Sequence, residues 1–81
     1  MTSRHINVRG SISAISYPGV GEEPVVSVML TVGEQSVVLA FLGRTDIHGF
    51  QIGSKLHVKG MLSERQGLPT VFNPRFSVLK F

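Results

Sequence analysis

The 81 residues of this chain suffice for one domain, near the lower size at which a single core is stable without staples. No cysteine is present, which excludes disulfides and thiolate metal sites, and an apolar content of 42% leaves hydrophobic packing to build the core. Eight Lys and Arg against five Asp and Glu give a formal charge of +3, a balance that favours polyanionic partners at long range or simply keeps a small domain soluble.

The positive excess is uneven. Arg44, Lys55, Lys59, Arg65, Arg75 and Lys80 face only Asp46 and Glu64 in the second half of the chain. The start, Met1-Thr2-Ser3-Arg4-His5, has no apolar run behind a basic head, and no stretch reaches the length of a membrane span. The expectation is one cytoplasmic domain, with its core between about residues 6 and 79.

Ile6, Val8, Gly10, Ile12 and Ala14 alternate with polar residues, the period of a strand with one buried face. Gly10 lies on the apolar phase, where a missing side chain suits a bend that lets one long strand pair on both sides. Two prolines and two glycines make Tyr17–Pro24 a loop. A second strand follows over Val25–Val32, with Val26, Val28, Leu30 and Val32 on one face.

The next run, Val37–Leu42, is apolar on both faces, so its orientation must come from the hairpin. A two-residue turn centred on Glu34-Gln35 pairs Val32 with Val37. It turns Val37, Leu39 and Phe41 inward and Val38, Ala40 and Leu42 outward; a three-residue loop would reverse them. Between Gly43 and Ser54 the glycines allow at most one helical turn, starting near Thr45 or Asp46, with Ile47, Phe50 and Ile52 plugging one end of the core.

A fourth strand turns Leu56, Val58 and Leu62 inward, and Ser63–Pro69 is read as its hairpin tip. Thr70–Asn73 begins a fifth strand, with Val71 inward and Phe72 outward, and Pro74 ends the ladder. Phe76, Val78 and Phe81 are expected to fold the tail back onto the core.

Five strands, a short third connection and the segment Asn73-Pro74-Arg75-Phe76 resemble the OB-fold nucleic-acid-binding domains of the helicase and tRNA-anticodon type. Such domains occur in fork-remodelling helicases, replication protein A-like proteins and bacterial replicative polymerases, and the chain looks most like small stand-alone bacterial members. The resemblance rests on Val37–Arg44, Gly53–Gly60 and Gly67–Phe76, and runs from about Ile6 to Leu79. It implies an all-β, five-stranded Greek-key barrel with a short turn or one-turn helix between strands three and four; an SH3-like barrel is the alternative. It also implies a groove for single-stranded DNA or RNA across strands two and three, flanked by the loops after strands one and four.

Candidate contacts follow. Arg9, on the polar phase of strand one, meets phosphate or is an ordinary solvated position. Arg44 and Arg65 are put at the groove rims by the resemblance, while Arg75 touches ligand or braces the tail. Lys59 shares the outer phase of strand four with His57, on a side expected to lie away from the groove. Tyr17 and Phe72 are the aromatics expected to expose a ring for base stacking, and Met29 offers a pliable apolar surface to a base or a partner protein.

His5, His48 and His57 lack metal-ligand spacing, and neither a nucleophile turn nor a phosphate-cradling glycine motif is present. The reading is therefore a non-enzymatic binding module without cofactor, metal, membrane or small-molecule substrate. Its expected partners are single-stranded nucleic acid and a replication or repair protein. The alternative is a protein-interaction barrel that uses the apolar outer face of Val25, Met29, Val38, Ala40 and Leu42.

Overall fold

A computed structural model describes residues 4–44, 46–47 and 49–79. Thr45, His48 and Phe81, on which sequence expectations fell, lie outside them. Six strands follow in chain order: β1 (Arg4–Ser16), β2 (Val25–Val32), β3 (Gln35–Leu42), β4 (Lys55–Arg65), β5 (Leu68–Phe72) and β6 (Arg75–Leu79). They form one sheet in the order β1-β2-β3-β5-β4-β6, and a further β1–β4 pairing closes the first five into a ring. Every neighbouring pair is antiparallel except β3 and β5.

Strand β1 serves both sides of this barrel-like ring. Its first half pairs with β4, from Arg4 against Leu62 to Ser11 against Lys55, and its second half pairs with β2, from Ser11 against Thr31 to Ser16 against Ser27. Gly10 stands just before this handover. A Cβ there would lie 2.4 Å from the Thr31 carbonyl oxygen, so only glycine lets the strands approach.

A bulge between Ile12 and Ala14 then shifts the pleat. Ser13 Oγ donates to the Met29 carbonyl there. Strict alternation put Ala14 inside; after the bulge Ile15 packs against the core and Ala14 is exposed.

The core is built by Ile12, Val26, Val28, Leu30, Leu39, Leu56, Val58 and Val71, each 2% exposed or less. The β2–β3 turn is Gly33-Glu34, one residue earlier than expected, and it pairs Val32 with Gln35 and Leu30 with Val37. Gly33 takes φ +61° at the first turn position, as a type II′ hairpin requires. The partner shift is two residues, an even number, so Val37, Leu39 and Phe41 still face inward. Ala40 faces outward as expected but is 1% exposed, because it is small and lies between neighbouring strands.

No helix occurs among the described residues of the β3–β4 connection. Instead the Ile12 amide donates to the Ser54 carbonyl at 2.9 Å and the Gly53 amide donates to the Ile12 carbonyl at 2.8 Å, so the end of the connection is held to β1. Ile47 and Phe50 plug the core end. Ile52 does not: it is 70% exposed, at the corner of a turn closed by the Ser54 amide on the Gln51 carbonyl, with Gly53 at φ +93°. Phe41, Phe50 and Phe76 meet edge-to-face, with ring centroids 4.9–5.8 Å apart, so Phe76 carries the tail contact while Val78 remains 43% exposed.

The β4–β5 hairpin is tighter than the sequence suggests. Both Gln66 (φ +54°) and Gly67 (φ +79°) take positive φ, which makes a two-residue turn of the primed type and extends β4 to Arg65. Pro74 ends β5, yet the chain resumes pairing with β4 as β6, from Arg75 against Lys59 to Leu79 against Lys55. The break is set by Asn73 at φ +48°. Its amide donates to the Ala40 carbonyl at 2.8 Å, and its Oδ1 accepts the Leu42 amide at 2.9 Å. Asn73→Ala removes that acceptor and places alanine in the left-handed region, and should cost about 1–3 kcal/mol in urea denaturation. A change below about 0.5 kcal/mol would show that the Asn-Pro break carries no structural role.

Candidate nucleic-acid interface

The bulge in β1 has a second effect: it turns Ala14 and Ser16 outward beside Met29 and Ser27 of β2. These residues continue across Val38 and Ala40 of β3 and Thr70 of β5, forming the floor of an open cleft of about 650 Å³. One wall is the β1–β2 loop, with Tyr17, Pro18, Glu22 and Glu23. The other is the β4–β5 hairpin, with Arg65, Gln66 and Leu68. The floor combines aliphatic side chains with the hydroxyls of Ser16, Ser27 and Thr70, and Thr70 Oγ1 donates to the Leu68 carbonyl at 3.0 Å.

Of the sequence candidates, Tyr17, Met29 and Arg65 come together here. Tyr17 is half exposed and Met29 partly buried, so the walls offer a ring and a cation above a deformable floor. Phe72, 38% exposed, follows Thr70 on the same face but does not line the cleft. Arg44 follows β3; its amide donates to the Pro24 carbonyl at 3.0 Å, which ties its backbone to the wall loop, while its side chain is not part of the lining.

Arg9, Lys59 and Arg75 belong to a different surface. Arg9 pairs with His57 across β1 and β4, and Lys59 pairs with both Asn7 and Arg75. Three of the eight candidates therefore form the cleft, and three lie on the outside of β1, β4 and β6.

The cleft carries two carboxylates against one cation. Glu22 is turned into its own loop, where its carboxylate accepts the Gly19 amide and its amide donates to the Gly19 carbonyl at 3.1 Å. Glu23 is exposed at the wall. Sequence reasoning missed Ala14, Ser16 and Leu68 as lining residues. The first two depend on the bulge, which no residue type announces, and Leu68 became part of a strand only through the tight Gln66-Gly67 turn.

Among the described residues no three His, Asp or Glu side chains gather in a metal-binding group, and no helix is long and apolar enough to cross a membrane. No family model matches the chain, and neither a curated protein nor a solved structure matches it.

Proposed function

We propose that the chain is an OB-fold module that holds single-stranded nucleic acid, without catalysis, in the cleft over β2 and β3. The observation that carries this reading is the coincidence of ring order and cleft position. The five-stranded ring runs β1-β2-β3-β5-β4, and its open groove lies on β2 and β3 between the β1–β2 loop and the β4–β5 hairpin, the face through which such barrels take oligonucleotides. Tyr17 supplies a stacking ring, Met29 an adaptable surface beneath a second base, and Arg65 a phosphate contact.

Labelled single-stranded DNA and RNA, titrated at two salt concentrations, test this. Tyr17→Ala should weaken binding by about 1–3 kcal/mol with an unchanged salt slope, because stacking releases no counterions. Arg65→Ala should instead lower the slope by about 0.7, the contribution of one phosphate on a single strand.

A second reading is favoured by the shortage of positive charge in the cleft. The apolar residues Val25, Met29, Val38, Ala40 and Leu42 share this face, and an apolar partner surface would cover them with no cation required. If both variants bind single strands like the parent while Met29→Asp abolishes association with a protein partner or with a second copy, the interaction reading replaces the first.

A further inference from the structure

The cations that the cleft lacks stand together elsewhere. We infer that the outer face of β1, β4 and β6 is a docking surface for the phosphate backbone of duplex nucleic acid, separate from the cleft. The strand registers build it in rows: Asn7, Lys59 and Arg75 lie side by side, then Arg9, His57 and Ser77, then Ser11, Lys55 and Leu79. Val8, Leu56 and Val58 take the alternate positions toward the core, which turns these rows outward.

With strands about 4.8 Å apart and residues about 3.4 Å apart along each, Arg9, Lys59 and Arg75 fit within roughly 10 by 7 Å. None of these three rows contains an Asp or Glu. Glu22, Glu23, Glu34 and Asp46 lie outside these strands, and Glu64 belongs to the part of β4 that pairs with β5.

Two features identify the partner. Lys59 stands directly opposite Arg75, and like charges in cross-strand positions destabilise a sheet; an anion laid over the pair relieves that repulsion. Between the cations stand Asn7, Ser11 and Ser77, the neutral types that contact phosphate beside Arg and Lys. The patch has no Phe, Tyr or Trp to stack an unpaired base, and its one ring, His57, is hydrogen-bonded through Nε2 to Asn7 Oδ1. Membrane-binding faces set cations beside several large apolar residues that insert, whereas here, among the described residues, the only apolar ones at the edges are Leu79 and Met61, the latter 52% exposed in the adjoining row opposite His5. A surface of cations and short polar groups reads a backbone whose bases are already stacked and paired.

The test is a titration of labelled blunt duplex DNA with the whole chain at 50 and 200 mM salt. Three phosphate contacts predict that the parent loses about 40-fold in affinity between the two, and the triple variant Arg9→Ser, Lys59→Ser, Arg75→Ser almost none. The three single variants should each lower the logarithmic slope by about 0.9, which keeps the test valid if the triple variant is unstable. Tyr17→Ala should leave duplex binding unchanged. Since that same variant tests single-strand stacking, the cleft reading and this one can fail separately. The inference is overturned if the parent does not bind duplex at 50 mM salt, or if the charge variants keep its slope. It is equally overturned if those variants lose binding to anionic vesicles or to polyglutamate while duplex binding stays intact.

Discussion

Leu39→Ala should lower the unfolding free energy by about 2–5 kcal/mol, the range for emptying a fully buried leucine site. Leu39 has no exposed surface and sits in the middle of β3, paired with Val28 of β2 and, in parallel register, with Val71 of β5. All three are completely buried. The cavity would open where β2, β3 and β5 meet, and a ring of strands cannot collapse into it without breaking a ladder. Against the roughly 0.05–0.15 kcal/mol per residue that small domains have in hand, this is a large share of the total. Thermal denaturation should show a fall in Tm of at least about 8 °C. Leu68→Ala, at a half-exposed position on the cleft wall, should shift stability by no more than about 0.5 kcal/mol. Equal effects at the two sites would mean that Leu39 does not face the core.

Gly10→Ala should be at least as damaging as a typical overpacked core, about 3 kcal/mol or more. The added methyl would meet the Thr31 carbonyl oxygen at 2.4 Å and the side chains of Leu30 and Val32 at 2.9 Å. Leu30 and Val32 could adjust their rotamers. The carbonyl is backbone of the neighbouring strand and moves only if β1 and β2 separate. Urea titration followed by circular dichroism measures the loss, and parent-like stability would show that the strands are not in that contact.

Much of this architecture is legible in the residues, because it follows from side-chain period. Val26, Val28 and Leu30 alternate into the core as expected, and so do Leu56 and Val58. Gly10 was readable as the place where one strand serves two neighbours. Leu39 faces inward whether the turn is centred on Glu34-Gln35 or on Gly33-Glu34, since only the parity of the register decides facing. What escaped reading depends on features without a residue signature. The bulge before Ala14 reverses the last turn of alternation, and a type II turn carries Ile52 into solvent where its apolarity suggested burial.

The same applies to the candidate site. Tyr17, Met29 and Arg65 could be proposed for one groove because the resemblance placed their segments around it. Arg9, Lys59 and Arg75 belong to three different strands, and only the register of β4 between β1 and β6 brings them together. Pro74 looked like the end of the sheet. With β6 absent from that picture, the basic face could not be drawn.

Arg4–Gly10 of β1 pair only with Leu56–Leu62 of β4, and Val38–Ala40 of β3 pair in parallel with Thr70–Phe72 of β5. A chain emerging from the ribosome therefore holds its first strand half-paired through most of synthesis. A fragment ending before Lys55 keeps two open edges that can template association with other chains. Pairings so distant in sequence also place the domain among slowly folding topologies, in the millisecond-to-second range, because loop closure must precede the contacts that reward it. Circular permutation that links the two ends of the chain and opens it between β3 and β4 would shorten the β1–β4 separation, and refolding rates would record the effect.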